Sequence, residues 1–89
     1  MEKEWLQEQT TVEDAEREHL VTDERLGPNP VPFGFVNSLW LSFKEQIRRD
    51  DQIWKFSSPD QSWEHLAGRE GLCLVRDGEV VTSIVTKMN

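Results

Sequence analysis

The hydrophobic pattern is clearest in the second half of the chain. Apolar residues recur there at intervals of three and four positions, the spacing that places side chains along one side of a helix. This pattern predicts a helix over residues 36–49. A second, shorter helix is expected over 59–67, because Pro59 suits the first helical position and Gly68 suits a helix end. The apolar stripe of the longer helix consists of Val36, Leu39, Trp40, Phe43 and Ile47.

Three other segments have the composition of β-strands. Residues 52–56, 71–76 and 79–86 are rich in β-branched, aromatic and other apolar residues. Asp77 and Gly78 separate the last two segments, and an Asp-Gly pair is a preferred hairpin loop because both of its positions need a positive φ. The sequence therefore predicts that the last two segments pair as a hairpin.

The Asp-Gly loop also sets the expected register of this hairpin. Arg76 should face Glu79, Val75 should face Val80, and the pairing should continue outwards from the turn. Both faces of the hairpin would then be apolar, so we expect cover on both, from a helix, from the N-terminal segment or from another chain. One face would carry Cys73, Val75, Val80 and Ile84, and the other Leu72, Leu74, Val81 and Val85.

The first thirty residues have a weaker pattern. Thr11, followed three positions later by Asp14, suits the start of a short acidic helix over 11–20. A chain of 89 residues has room for one domain. We predict a small single-domain α+β protein with a three-stranded, mainly antiparallel sheet. Its compact core over 31–89 should follow an acidic segment over 1–30 that is partly helical or flexible.

Acidic residues are concentrated in that N-terminal segment. Residues 1–30 contain nine acidic and three basic residues, and so carry −6 of the net charge of −7. A negative field repels phosphate backbones and attracts basic surfaces. We therefore expect a basic protein surface as the partner and no binding to nucleic acid. The candidate partner-binding residues are Trp5, Glu13, Asp14, Glu16 and Glu18.

The lengths of the apolar runs and the number of cysteines indicate where in the cell the protein is located. No apolar run approaches the roughly 20 residues that a membrane-spanning helix needs, so we expect no membrane partner. The single cysteine, Cys73, has no partner for an internal disulfide, and residues 1–4 lack the features of a secretory signal. These features indicate a reducing compartment and a cytoplasmic location.

No motif predicts catalysis. Serines, an aspartate and a histidine cluster over 57–65, but helix capping accounts for the serines and Asp60, and the chain has no Gly-x-Ser-x-Gly motif. Cys73 lies among apolar residues, where burial makes a thiol unreactive. The two histidines lack the spacing of metal ligands. We therefore expect no enzymatic activity, no cofactor and no metal.

Arg69 is a candidate for binding an anionic ligand. It lies between Gly68 and Gly71, directly after the second helix, where its guanidinium could bind a carboxylate or phosphate beside Trp54 or Trp63. The alternatives are a salt bridge for the arginine and core packing for each tryptophan.

Three functions remain open from the sequence. The leading hypothesis is a non-enzymatic interaction module that engages a basic partner, as an inhibitor, an immunity-type protein or a regulatory subunit would. The second is a small domain that binds an anionic ligand. The third is a structural homodimer in which a second copy covers one face of the hairpin.

Overall fold

The computed structural model describes residues 3–88 and shows an α+β fold, as predicted. Its main sheet contains four antiparallel strands, one more than expected, and a second sheet contains two. Short 3-10 turns lie at Lys3–Trp5, Glu24–Leu26 and Gly34–Val36. The remaining elements are β1 (Leu6–Thr10), α1 (Val12–Glu18), β2 (Leu20–Val21), β3 (Val31–Pro32), α2 (Asn37–Glu45), β4 (Gln52–Ser57), α3 (Asp60–Glu64), β5 (Arg69–Arg76) and β6 (Glu79–Met88).

The main sheet has the strand order β1-β4-β5-β6, so β1 and β6 are its edges. Strand β1 was not predicted, and it occupies a stretch for which only helix or flexibility was expected. Its sequence, Leu-Gln-Glu-Gln-Thr, lacks the alternation of a half-buried strand. Backbone pairing with β4 forms it instead, with an irregular register between Leu6 and Glu8.

The three helices are shorter than predicted. Helix α1 begins as expected, because the Thr11 hydroxyl accepts a hydrogen bond from the backbone N–H of Asp14 at 3.1 Å. Helix α3 is followed by Leu66, which has φ 57° and is exposed. Within residues 3–88, none of the helices has the length and hydrophobicity that a membrane crossing requires.

Helices α1 and α2 cover one face of the main sheet. Trp40 of α2 is fully buried there, with its ring stacked between Phe33 at 4.4 Å and Phe43 at 5.4 Å between centroids. The cluster joins α1 and α2 to three strands, and its buried members are Ala15, Phe33, Trp40, Phe43, Ile53, Leu72, Leu74 and Ile84.

Only part of the apolar stripe of α2 reaches this core. Trp40 and Phe43 are buried and Ile47 packs against them, but Leu39 is 58% exposed and Val36 is 37% exposed. Leu39 lies beside β6, the last strand of the sheet, where no further strand is present in the described part of the chain to complete the layer. The sequence pattern therefore identified the helix but overstated its buried surface.

The N-terminal turn covers the opposite face of the sheet. The Trp5 ring stacks on Phe56 with 6.4 Å between centroids, and the Lys3 ammonium lies 3.7 Å from the Glu79 carboxylate at the start of β6. The Lys3–Trp5 turn therefore crosses this face from one edge strand towards the other. The second cluster comprises buried Phe56, Cys73 and Val75, with Trp5, Leu6, Trp54, Val80 and Val85 packed around them. Cover on both faces was expected, and here the chain's own N-terminus supplies the second.

The hairpin turn forms as predicted, but its register holds only near the turn. Asp77 and Gly78 both have positive φ, and Val75 pairs with Val80. Beyond this pair, Leu74 pairs with Thr82 rather than Val81, because β6 contains one extra residue.

This β-bulge changes which face two side chains reach. Side chains alternate between faces, so one extra residue moves the following ones to the other face. Ile84 therefore packs with Leu72 on the helical face, and Val85 packs with Cys73 on the opposite face. The predicted faces of Ile84 and Val85 were wrong for this reason.

Candidate functional site: an acidic cavity beside Lys55

A cavity of about 400 Å³ opens on the helical face of the sheet, at the end where β4 stops and β5 starts. Leu72, from the helical face, is among its apolar lining residues. Polar groups from β1, from the end of α1 and from the neighbouring strands complete its wall. Its polar lining residues are Gln7, Glu18, His19, Lys55, Ser57, Glu70 and Thr86.

Strand pairing explains how these groups meet. Lys55 in β4 lies opposite Leu72 in β5, and on its other side it lies opposite Glu8 in β1. Cross-strand partners share a face of the sheet, so Glu8 and Lys55 point the same way. Helix α1 ends above them and brings Glu18 to the same place.

Carboxylates surround the only lysine of this cavity. The Lys55 ammonium lies 2.8 Å from the Glu18 carboxylate and 3.8 Å from that of Glu8. The hydrogen bond that the Lys55 ammonium donates to the Glu18 carboxylate raises the pKa of Lys55, and the charges of Glu18, Glu8 and Asp14 act in the same direction. Lys55 therefore stays protonated and neutralises one carboxylate, while Glu8, Glu18 and Glu70 together leave an excess of negative charge.

The geometry suits the binding of a basic side chain. A lysine or arginine has an aliphatic stem that packs on apolar surface and a cationic end that donates hydrogen bonds to carboxylates. The cavity has a mixed apolar and polar lining for the stem, and Glu18 and Glu70 are available for the charged end.

The structure separates the five predicted partner-binding residues. Glu18 lines the cavity, while Asp14 lies beside it and pairs with Arg17 at 3.1 Å. Glu13 is exposed on α1. The other two have partners within the fold: Trp5 packs on the opposite face of the sheet, and Glu16 accepts hydrogen bonds from Trp40 and Lys44.

The three predicted ligand-binding residues do not share the acidic cavity. Arg69 is exposed at the start of β5, and the Trp63 indole N–H bonds to the Ser58 carbonyl oxygen at 3.2 Å. Trp54 pairs with Cys73, four residues along β5 from Arg69, which corresponds to about 13 Å of strand. Trp54 therefore lies well away from the arginine.

Sequence reasoning missed most of the cavity. Glu8 was not a candidate because its strand was not predicted, and Glu70 and His19 belong to no motif. One signal was present, since the alternation over 52–56 already placed Lys55 on the face opposite Trp54 and Phe56.

Cys73 lies outside this cavity and is fully buried in the second cluster. Burial raises the pKa of its thiol to about 11, so the thiol is protonated at neutral pH. Within residues 3–88, no group of three or more histidine, cysteine or acidic residues is arranged to hold a metal ion. Comparisons with protein-family models, with curated proteins and with solved structures gave no match to this chain.

Proposed function

We propose that this chain is a non-enzymatic interaction module that binds a basic surface of another protein, as an inhibitor, an immunity-type protein or a regulatory subunit would. The observation that carries the proposal is the cavity beside Lys55, which Glu18 and Glu70 line and where the one ammonium group lies 2.8 Å from the Glu18 carboxylate and 3.8 Å from that of Glu8. A protruding lysine or arginine of the partner enters this cavity.

The surrounding charge supports the same partner. Helix α1 carries four acidic residues and one arginine over Val12–Glu18, and Glu8 of β1 adds a further carboxylate. Exposed charge of one sign accelerates the encounter with a partner of opposite sign, and the effect falls as salt is added. In this proposal the cavity determines where the partner binds, and the wider acidic surface increases the association rate.

A labelled hexa-arginine peptide tests the cavity directly. Fluorescence anisotropy should show binding at low salt that weakens strongly towards about 0.5 M salt. The double variant Glu18→Gln/Glu70→Gln should bind about tenfold more weakly, because charge-assisted hydrogen bonds to two carboxylates are lost.

The matched control is Glu45→Gln/Glu64→Gln, which removes the same charge from exposed positions outside the cavity. Its affinity should stay within about twofold of the original chain. Equal weakening in both double variants would show that only net charge matters and would contradict a role for the cavity. No peptide binding at low salt would contradict the proposal as a whole.

A further inference from the structure

The outer edge of β6 is open over ten residues, Glu79–Met88. In the described part of the chain this strand pairs with β5 and with no other strand. An unpaired edge presents backbone N–H and C=O groups to any strand that can align with it. Edges of this length are usually covered or paired.

Exposed apolar side chains gather along this edge. Of the nine exposed large hydrophobic residues in the described chain, two lie on β6 and four line two cavities, of about 290 and 270 Å³, that reach this strand. One cavity separates α2 from the middle of β6, and the other lies near Thr86. The six residues are Leu20, Val21, Val36, Leu39, Val81 and Met88.

The sequence of β6 is complementary to itself in charge. Glu79 and Lys87 lie four positions before and four positions after Ser83. If two copies pair antiparallel about Ser83, Glu79 of each copy lies opposite Lys87 of the other, which gives two opposite-charge pairs. The same register brings Thr82 opposite Ile84.

The irregularities of β6 fit this register. One extra residue lies between Val80 and Thr82, and another lies between Val85 and Lys87. Bulges bend an edge and oppose pairing with a straight strand. Here each half of β6 contains one bulge. In the antiparallel pair, the bulged half of one copy lies opposite the other bulged half of its partner, so both strands bend on both sides of Ser83.

We propose that β6 pairs antiparallel with β6 of a second copy about Ser83, which forms a continuous eight-stranded sheet. The two-fold axis is perpendicular to the sheet, so the helices of both copies lie on the same side. The two α2 helices then face each other across the axis and cover Leu39 and Val36. This homodimer does not depend on the basic partner proposed above, although Thr86 of β6 also lines the acidic cavity.

Charge reversal tests the register. Analytical ultracentrifugation should show a dimer of the original chain, and Glu79→Lys or Lys87→Glu alone should weaken it about tenfold, because both symmetry-related pairs become repulsive. The combination of both reversals should restore the dissociation constant to within about threefold. Glu64→Lys, a reversal at an exposed position on α3, should leave it unchanged.

A disulfide tests the centre of the interface. Residues paired across antiparallel strands have Cα atoms about 4.5–5.5 Å apart, within the range of a disulfide. Ser83→Cys should therefore give a covalent dimer under mild oxidation, whereas Ser38→Cys, exposed on α2 and outside both cavities, should not. Cys73 lies opposite Ser83 across β5 and β6 and would compete for the new thiol, so both cysteine variants are made in chains that carry Cys73→Ala.

Two results would overturn this dimer. One is a monomer at all concentrations up to about 0.5 mM, which would leave the edge to a strand of another protein or to solvent. The other is a dimer that neither single reversal weakens and that Ser83→Cys does not cross-link, which would place the contact on another surface. Circular dichroism of each variant will confirm that it is folded.

Discussion

At the scale of single residues, Glu16 has a different role from its acidic neighbours. Its carboxylate accepts hydrogen bonds from the Trp40 indole N–H and the Lys44 ammonium, both at 2.8 Å. These two bonds lower the pKa of Glu16, with the lysine as the larger cause. Trp40 is fully buried, so its N–H depends on this carboxylate.

Glu16→Ala should therefore destabilise the fold rather than act on partner binding alone. Leaving a buried N–H without an acceptor costs about 1–3 kcal/mol, and we expect a loss of that size in the free energy of unfolding. Urea unfolding followed by tryptophan fluorescence measures it. Glu13→Ala on the same helix is the matched control and should change stability by less than about 0.5 kcal/mol. Equal stability of the two variants would show that the Trp40 contact is dispensable.

Asp51 gives a prediction about pH. Its side chain is only 2% exposed, and its two oxygens accept hydrogen bonds from Arg76 at 2.7 and 2.9 Å, which lower the pKa of Asp51 below its usual range. The pair therefore stabilises the fold fully above the unfolded-state pKa of about 3.9. That stabilisation is lost as the pH falls through the lower, folded-state pKa.

Asp51→Asn removes this titration. The variant should be less stable than the original chain at neutral pH, and the difference between the two should shrink as the pH falls below about 4. Melting temperatures measured from neutral to acidic pH provide the comparison. A difference in melting temperature between the two chains that stays constant over the whole pH range would contradict a stabilising role for ionised Asp51.

At the scale of elements, the sequence predicted those that carry their own local signal. The spacing of Trp40 and Phe43 within α2 and the Asp77-Gly78 loop of the hairpin are such signals, because helix periodicity and turn geometry are properties of short segments. Strand β1 and the bulge after Val80 depend on pairing with another strand. Short-range sequence patterns do not show which strands pair. The acidic cavity was therefore not predicted, because β1 is needed to bring Glu8 close to Lys55.

The role of the Lys3–Trp5 turn as cover for one face of the sheet can be measured by the reactivity of the single cysteine, Cys73. Trp5 is half-buried and helps to cover the cluster that contains Cys73. Trp5→Ala should cost about 1–2 kcal/mol, less than the loss of a fully buried tryptophan. If Cys73 reacts through opening of this face, its labelling by a thiol reagent should become about five- to thirtyfold faster.

Leu20→Ala is a suitable control for this labelling experiment. Leu20 is half exposed and lies outside the cluster, so its loss should leave the reactivity of Cys73 nearly unchanged. Unchanged labelling in Trp5→Ala would mean that other side chains protect the thiol, and the turn would then not be the effective cover of this face.

At the scale of the whole molecule, the acidic N-terminal third is built into the fold. Strand β1 lies at one edge of the main sheet, Ala15 of α1 is fully buried in the helical core, and Trp5 belongs to the opposite cluster. Both apolar clusters therefore contain residues from positions 1–30. The charge that we propose as the attraction for a basic partner is held on a scaffold that these residues help to form.

It follows that a chain reduced to residues 31–89 should not fold by itself. It would expose Trp40 and Phe56, whose cover comes partly from Ala15 and Trp5, and it would leave one side of β4 unpaired. Small domains have little stability in reserve, so we expect a loss of most of the cooperative transition in circular dichroism. A full-length chain cut by a protease at a site inserted in the exposed loop 27–30 is the control, since both pieces remain available to pair. A cooperative transition of 31–89 close to that of the intact chain would show that the N-terminal third is an appendage, and its removal would then be a clean test of partner binding.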